Sequence, residues 1–220
     1  MRCGAAALVL TLTTAFFVAP AQAESIRLAA LGDSLTQGYG LAQGEGLVPQ
    51  LQAWLRAQGH AVEVLNAGVS GDTTAGGLSR LDWTLADRPD AMMVALGGND
   101  LLRGIDPATS RANLEGILAR LQAEGMPALL VGLPAPGNYG PEFQAAFEAM
   151  YPELAEEYGA MLYPDLLQPI TEKHDAGMRY IDLMQDDHIH PNADGVALIV
   201  EGLGPVVSRF LQAVEEETGS

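Results

Sequence analysis

An α/β fold, with one parallel sheet between two layers of helices, is the architecture that the sequence predicts. Short, continuous apolar runs alternate along the chain with longer amphipathic segments. Strands that are apolar on both faces belong to parallel sheets covered on both sides, and their alternation with helices is typical of a three-layer α/β/α sandwich. Three of the amphipathic segments also stop at a glycine, the residue that best tolerates a helix C-cap.

Five apolar runs are the predicted strands, so the sheet should have about five members. In chain order they are residues 26–31, 61–65, 91–96, 128–133 and, with a weaker pattern, 160–163. Each run has the length and the boundaries expected of a buried strand.

Helices are predicted between and after these strands. Residues 48–58, 107–124 and 141–158 end at Gly59, Gly125 and Gly159 respectively, and residues 192–214 close the chain. A less regular segment, residues 75–87, precedes Pro89 and is also predicted to be helical, because proline commonly follows a helix end.

The amino terminus has the three parts of a secretory signal peptide. Arg2 supplies a positive start, residues 5–18 form an apolar middle, and Ala21-Gln22-Ala23 resembles a peptidase site. A membrane-spanning helix needs ~20 apolar residues, and this run is shorter. We therefore expect a signal peptide over residues 1–23, export to a periplasm or the medium, and a single domain over residues 24–220 with no stable membrane insertion.

Charge and cysteine content exclude several classes of function. Residues 24–220 carry 10 cationic and 28 acidic side chains, a net charge of −18, and the cations are dispersed. Nucleic acid is therefore excluded as a partner, because binding its phosphates requires a basic face. Cys3, the only cysteine, lies in the predicted signal peptide. Disulfides, thiolate chemistry and cysteine-ligated zinc are thereby excluded for the exported chain.

Polar clusters follow the first three predicted strands, and a fourth precedes the last helix. They are Gly32-Asp33-Ser34, residues 66–72, Gly97-Gly98-Asn99-Asp100, and residues 186–191. In open α/β sheets ligands bind beyond the carboxyl ends of the strands. Four segments that are distant in the chain could therefore meet at one edge of the sheet.

Ser34, His190 and Asp187 form the predicted catalytic triad. A serine hydroxyl is a weak nucleophile until a base takes its proton, and histidine is the base suited to neutral pH. Asp187 lies three residues before His190, a spacing that lets a carboxylate reach the second imidazole nitrogen. Pro191 disfavours a helical conformation at His190, so the segment is predicted to be a tight turn.

An acyl transfer reaction at Ser34 would also need hydrogen-bond donors for the oxyanion that forms. The predicted donors are the backbone N–H of Ser34, the backbone N–H of Gly71 and the side-chain amide of Asn99. Glycine lets the backbone approach a substrate closely, and an amide NH₂ donates without carrying charge.

These motifs resemble those of the SGNH hydrolases, also called GDSL esterases and lipases. Four blocks occur in the order of that family, namely Gly32-Asp33-Ser34-Leu35, Gly71, Gly97-Gly98-Asn99-Asp100 and Asp187-His188-Ile189-His190. Longer runs resemble the thioesterase I, arylesterase, lysophospholipase and protease I group. The resemblance implies a flavodoxin-like sandwich, no metal or other cofactor, and hydrolysis of small-molecule esters and thioesters, including lysophospholipids. His188 departs from the group, which carries glycine at that position.

Other functions are compatible with the same residues. A carbohydrate O-deacetylase of the same family would use the same residues, and a non-catalytic lipid- or glycan-binding protein could keep the fold. Asp33 could be a turn residue or a participant in the chemistry, and Ser70 is a rival nucleophile. The cluster at residues 186–190 could instead bind a metal. The sequence alone is compatible with a monomer and does not determine the oligomeric state.

Two glycine- and proline-rich loops, residues 38–46 and 133–140, should border the cleft. Five side chains in or near these loops and the third cluster are predicted to form an apolar groove for the acyl chain, although ordinary loop packing would explain them equally well. They are Leu101, Leu102, Leu133, Pro134 and Tyr139.

Overall fold

A computed structural model describes residues 25–218 of the chain. The predicted signal peptide lies outside these described residues. Five strands form one sheet: β1 (Ile26–Gly32), β2 (Val62–Gly68), β3 (Ala91–Ala95), β4 (Ala128–Val131) and β5 (Met161–Tyr163). All neighbouring strands are parallel and their order is β2-β1-β3-β4-β5. This is the flavodoxin-like order, which confirms the predicted fold class.

Nine α-helices lie within residues 25–218. They are α1 (Ser34–Gln37), α2 (Leu47–Ala57), α3 (Thr74–Ser79), α4 (Leu81–Ala86), α5 (Gly98–Leu102), α6 (Pro107–Ala123), α7 (Pro141–Tyr158), α8 (Gln168–Asp175) and α9 (Ala193–Thr218). Helices α2, α8 and α9 pack together, whereas α3, α6 and α7 form a second group. Because both faces of the sheet must be covered, these two groups form the outer layers of the sandwich.

Burial across the sheet follows the position of each strand. Every residue of the central strand β3 is buried, and residues 28–31 of β1 are fully buried. The edge strand β2 instead alternates, with Val62 and Val64 inside and Glu63 exposed. The second strand was predicted to end at residue 65, but β2 pairs with β1 as far as Gly68.

The segment predicted as one helix at residues 75–87 is two helices, α3 and α4. They meet at Arg80, whose φ of −110° and ψ of 11° interrupt the helical path. The guanidinium of Arg80 binds Asp72 and the carbonyl oxygens of Gly32 and Ala67. The break thus places a cation against the ends of β1 and β2.

Helix α9 is long and apolar enough over Ala193–Glu217 to cross a membrane by length and composition. In the fold it packs against α2, α8 and β5. Leu203, Val207 and Leu211 on its inner face are fully buried. Its apolar character is therefore accounted for by its place in the core.

Candidate active site

Ser34 lies at the turn between β1 and α1, at the carboxyl edge of the sheet. Asp33 is the N-cap of α1, and its carboxylate accepts a hydrogen bond of 3.0 Å from the N–H of Leu35. Aspartate is among the preferred N-cap residues because its side chain binds a helix N–H that has no partner within the helix. Ser34 is therefore the first helical residue, and it is only 7% exposed.

Asp187 and His190 lie in a tight turn that ends before α9. Asp187 Oδ1 accepts hydrogen bonds of 3.0 Å from the N–H groups of Ile189 and His190, and Oδ2 lies 2.6 Å from His190 Nδ1. These three bonds hold the pKa of the Asp187 carboxyl at about 2, below its ordinary value of 3.8, with the backbone bond from His190 the largest cause. The carboxylate is therefore ionised at neutral pH.

His188 occupies the one position of this turn that needs a left-handed backbone. Its φ is +57°, a value that non-glycine residues adopt with difficulty. The tight turn explains why glycine suits this position. Histidine is nevertheless among the residues that tolerate the left-handed region best.

The imidazole of His190 connects the two halves of the site. His190 Nε2 lies 2.9 Å from Ser34 Oγ, so a continuous hydrogen-bond chain runs from Asp187 through His190 to Ser34. The ring of Tyr39 packs against the imidazole with 4.8 Å between ring centroids. Gln185 donates to the carbonyl oxygens of Tyr39 and Pro191, which ties the Tyr39 loop to the histidine turn.

Asn99 is the second residue of α5, beyond the end of β3, and its side chain contacts the serine turn at Asp33. Its Nδ2 lies 3.3 Å from Asp33 Oδ2, so the amide can donate one hydrogen to Asp33 and keep the other for a ligand. Burial raises the pKa of the Asp33 carboxyl above its ordinary value, while the bonds from Leu35 and Asn99 oppose that rise. Asp33 therefore caps α1 and orients Asn99.

Gly71 lies in the loop between β2 and α3 with a φ of +82°. Its carbonyl accepts a hydrogen bond of 2.7 Å from Arg103, the residue that follows α5. Within residues 25–218, no protein oxygen accepts the N–H of Gly71. The loop thus has a fixed carbonyl and an N–H that is available to a ligand.

The positions of Ser34 and Asn99 agree with a rule for open α/β sheets. In the order β2-β1-β3-β4-β5 the chain reverses its winding between β1 and β3, and ligands bind in the crevice at that reversal. Ser34 follows β1 and Asn99 follows β3. The sheet therefore delivers both residues to the same crevice.

Comparison with known proteins decides the family. Residues 30–198 match the model of the GDSL-like lipase/acylhydrolase family. The chain belongs to this family. It is therefore an ester-hydrolysing serine hydrolase, and the resemblance that the four sequence blocks indicated is confirmed.

Individual members of the lipase/acylhydrolase family match most of the chain. Esterase TesA from Pseudomonas aeruginosa is 36% identical over 206 residues, which cover 93% of this chain and 99% of that protein. Thioesterase 1/protease 1/lysophospholipase L1 from Escherichia coli is 36% identical over 172 residues, covering 78% of each chain. The crystal structure of AlinE4, an SGNH-hydrolase family esterase, is 44% identical with a TM-score of 0.71, and the match covers 86% of this chain and 98% of AlinE4.

A cleft of about 510 Å³ opens beside His190 in this lipase/acylhydrolase. Of the five predicted groove residues, Leu101, Leu102, Leu133 and Pro134 line it. Tyr139 does not, because its ring packs against Phe143 and its hydroxyl lies 3.5 Å from the carbonyl oxygen of Leu102. A role for Tyr139 in acyl binding stays a prediction. The tyrosine supports the loop behind the cleft.

Several site residues of this lipase/acylhydrolase are not evident from the sequence. Leu35, Leu167, Tyr180 and Ile189 also line the cleft, although they come from four separate segments. Tyr39 lies in the glycine-rich loop that was expected to border the cleft, but no pattern indicated its contact with His190. In the described part of the chain, residues 25–218, no group of three or more histidine, cysteine or acidic residues could hold a metal ion.

Proposed function

We propose that the enzyme hydrolyses carboxylic esters and acyl thioesters, lysophospholipids among them, through an acyl intermediate on Ser34. The observation that carries this proposal is the hydrogen-bond chain from Asp187 to His190 to Ser34, with distances of 2.6 and 2.9 Å. Nucleophile, base and orienting carboxylate with this connectivity are the elements of a serine hydrolase triad.

The first half-reaction forms the acyl intermediate. His190 Nε2 takes the proton of the Ser34 hydroxyl as Oγ attacks the substrate carbonyl carbon, and Asp187 stabilises the resulting imidazolium through Nδ1. The tetrahedral intermediate then collapses. The bond to the alcohol or thiol breaks, and the imidazolium gives its proton to that leaving group.

The carbonyl oxygen carries the negative charge during this step. The N–H groups of Ser34 and Gly71 and the amide of Asn99 are the donors that we assign to it. Each donor fixed in place before the reaction contributes about 10²–10³ in rate, because no reorganisation is needed when the charge develops. Asp33 and Arg103 keep Asn99 and the Gly71 loop in position.

The second half-reaction uses water. His190 removes a proton from the water molecule, the hydroxide attacks the acyl carbon, and the bond to Ser34 Oγ breaks as the serine regains its proton from the imidazolium. The products are a free carboxylic acid and the alcohol or thiol released earlier. No cofactor is needed for either half-reaction.

The cleft beside the triad favours substrates with acyl chains longer than acetyl. Its lining includes the aliphatic side chains of Leu101, Leu102 and Leu133, and apolar walls favour burial of a hydrocarbon chain. The name of the Escherichia coli relative includes thioesterase and lysophospholipase. Both activities release a fatty acid from a larger leaving group, which this cleft would accommodate.

A panel of nitrophenyl esters and acyl-CoA tests the substrate class. We expect hydrolysis of C6–C12 esters and of acyl-CoA. Activity confined to acetate esters would refute the preference for longer chains and would favour a carbohydrate O-deacetylase of the same family.

Labelling with a fluorophosphonate probe tests the nucleophile. The wild type is expected to take up one label, and Ser34→Ala none. Ser70→Ala is the matched control, because Ser70 is an exposed serine in the neighbouring loop and the rival nucleophile. Loss of labelling in Ser70→Ala, or equal labelling of wild type and Ser34→Ala, would contradict the proposed mechanism.

We further propose that the enzyme is exported, with residues 24–220 forming its single mature domain. Support comes from the charged start, the apolar run and the Ala21-Gln22-Ala23 site in the sequence. Mass spectrometry of the protein from the periplasm or medium of an expressing cell tests this. A mature start near Glu24 is expected, and an intact Met1 in exported protein would contradict the proposal.

A further inference from the structure

Asp100 is a fully buried acidic residue that takes no part in the reaction steps above. It follows Asn99 in α5, and its carboxylate is bound by the hydroxyls of Thr74 and Ser110. Within residues 25–218, no lysine, arginine or histidine nitrogen lies within 4 Å of its carboxylate. A buried carboxylate with no cationic partner is costly. Asp100 is therefore costly to bury, and it lies directly after Asn99, one of the oxyanion donors that we assign.

Two of the three hydrogen bonds to Asp100 come from Thr74, which follows the loop that carries Gly71. Oδ2 accepts a hydrogen bond of 2.8 Å from the N–H of Thr74, and Oδ1 accepts one of 2.6 Å from the Thr74 hydroxyl. Thr74 is the first residue of α3 and lies three positions after Gly71. Its N–H is one of the helix-start donors that have no partner within the helix, so the carboxylate satisfies it from a neighbouring loop.

Two further hydrogen bonds fix the direction of this contact. Asn113 donates to the Thr74 hydroxyl over 3.0 Å, so that hydroxyl can direct its own hydrogen to Asp100. Ser110 donates to Asp100 Oδ1 over 2.9 Å. Both residues belong to α6, which lies beneath the two loops. Thr74, Asp100 and Ser110 are all fully buried, so water cannot replace these bonds without opening the core.

We propose that Asp100 is a positioning residue that ties the Asn99 turn to the Gly71 loop and thereby sets the spacing of the oxyanion donors. The inference rests on the proposed function. Asn99 is one residue from the carboxylate, and Gly71 is three residues from the threonine that it binds. A small shift between the two loops would move one donor relative to the other, and donors must lie within a narrow distance of the developing charge.

Four variants separate this role from a general contribution to stability. Asp100→Ala removes both hydrogen bonds between Thr74 and residue 100. Thr74→Val removes only the bond from the hydroxyl and keeps the shape of the side chain. Ser110→Ala is the matched control, because it also removes one buried hydrogen bond to Asp100 but leaves the contact between the loops. Thr74→Ser keeps the hydroxyl and should restore the activity that Thr74→Val loses.

The measurements are kcat and KM on a nitrophenyl ester, normalised to the sites titrated with a fluorophosphonate, and the affinity for a boronic acid that mimics the tetrahedral intermediate. Titration removes any unfolded fraction from the comparison. We expect Asp100→Ala to lower kcat by about tenfold or more, because the oxyanion donors Gly71 and Asn99 are then misplaced relative to each other. KM should stay within about twofold of the wild-type value. Thr74→Val should lower kcat by a smaller factor, and boronic acid affinity should fall with kcat/KM.

Wild-type kcat per titrated site in Asp100→Ala, or an equal loss of kcat in Ser110→Ala, would overturn the positioning role. If Asp100→Ala does not fold, the pair Thr74→Val and Thr74→Ser decides the question, and equal kcat in that pair would overturn it. Failure of the wild type itself to hydrolyse the ester would instead refute the proposed function.

Discussion

Gly71→Ala separates the strain of a left-handed backbone from the loss of an oxyanion donor. A Cβ added at Gly71 would meet only Arg103 Nη2, at 3.7 Å, which is an ordinary van der Waals contact. The substitution therefore causes no steric clash. Its cost comes from the φ of +82°, which alanine adopts at about 1–2 kcal/mol.

The free energy of unfolding should change little. Alanine restricts the unfolded chain and returns about 0.4–1 kcal/mol, which leaves a net destabilisation of about 0.5–1 kcal/mol. For a domain of this size the melting temperature should fall by roughly 1–4 °C. The effect on kcat should be larger. Even a partial rotation of the backbone towards negative φ would turn the Gly71 N–H away from the oxyanion, and loss of one such donor is worth about 10²–10³.

Gly125→Ala is the matched control for Gly71→Ala. Gly125 also has a positive φ, +65°, and an added Cβ there would meet no heavy atom within 4 Å. It lies between α6 and β4, at the opposite edge of the sheet from Ser34. Thermal unfolding and nitrophenyl ester kinetics should show similar losses of stability in both variants, with kcat reduced by at least about tenfold in Gly71→Ala alone. Equal, wild-type kcat in both would refute the assignment of Gly71 as a donor.

Two further predictions concern the histidine turn. The folded-state pKa of Asp187, about 2, lies below its ordinary value of 3.8, so its ionised form contributes stability that is present above about pH 4 and lost as the pH falls towards 2. Thermal melts should therefore show wild type more stable than Asp187→Asn at pH 6, with the gap closing by pH 2; a constant gap would contradict the low pKa. The second prediction concerns His188, whose φ is +57°. His188→Gly should raise the free energy of unfolding by up to about 1 kcal/mol, because glycine removes the left-handed strain but gains more freedom in the unfolded chain. His188→Val should lower the free energy of unfolding. Urea unfolding measures both variants, and greater stability in His188→Val than in His188→Gly would contradict this account of the turn.

The long elements of the fold could be predicted because their apolar patterns are local. The structure places α7 at Pro141–Tyr158, the predicted range, and β1 and β3 agree with the predicted strands to within one residue. Three short helices escaped prediction. Helices α1, α5 and α8 have at most eight residues, too few for a hydrophobic period to be recognised, and of the three only α1 has a side-chain cap.

Strand ends were a second source of error. The predicted fourth strand extended to Leu133, but β4 ends at Val131, and the N–H of the next residue, Gly132, makes the last hydrogen bond to β5, at Tyr163. Leu133 instead lines the cleft. An apolar residue in a strand and an apolar residue in a binding groove look the same in a sequence, because both are selected for burial of hydrocarbon.

What the sequence by itself determined is the chemistry of the site: a serine, a histidine, a carboxylate three residues before it, and small or amide residues at strand ends. These are local signals, set by residue type and spacing. Only the tertiary structure decided which groups position them, because Asp100 reaches Thr74 across 26 positions and Tyr39 reaches His190 across 151. Contacts of that range depend on the winding of the chain around the sheet, which brings segments that are distant in the sequence to the same end of the strands.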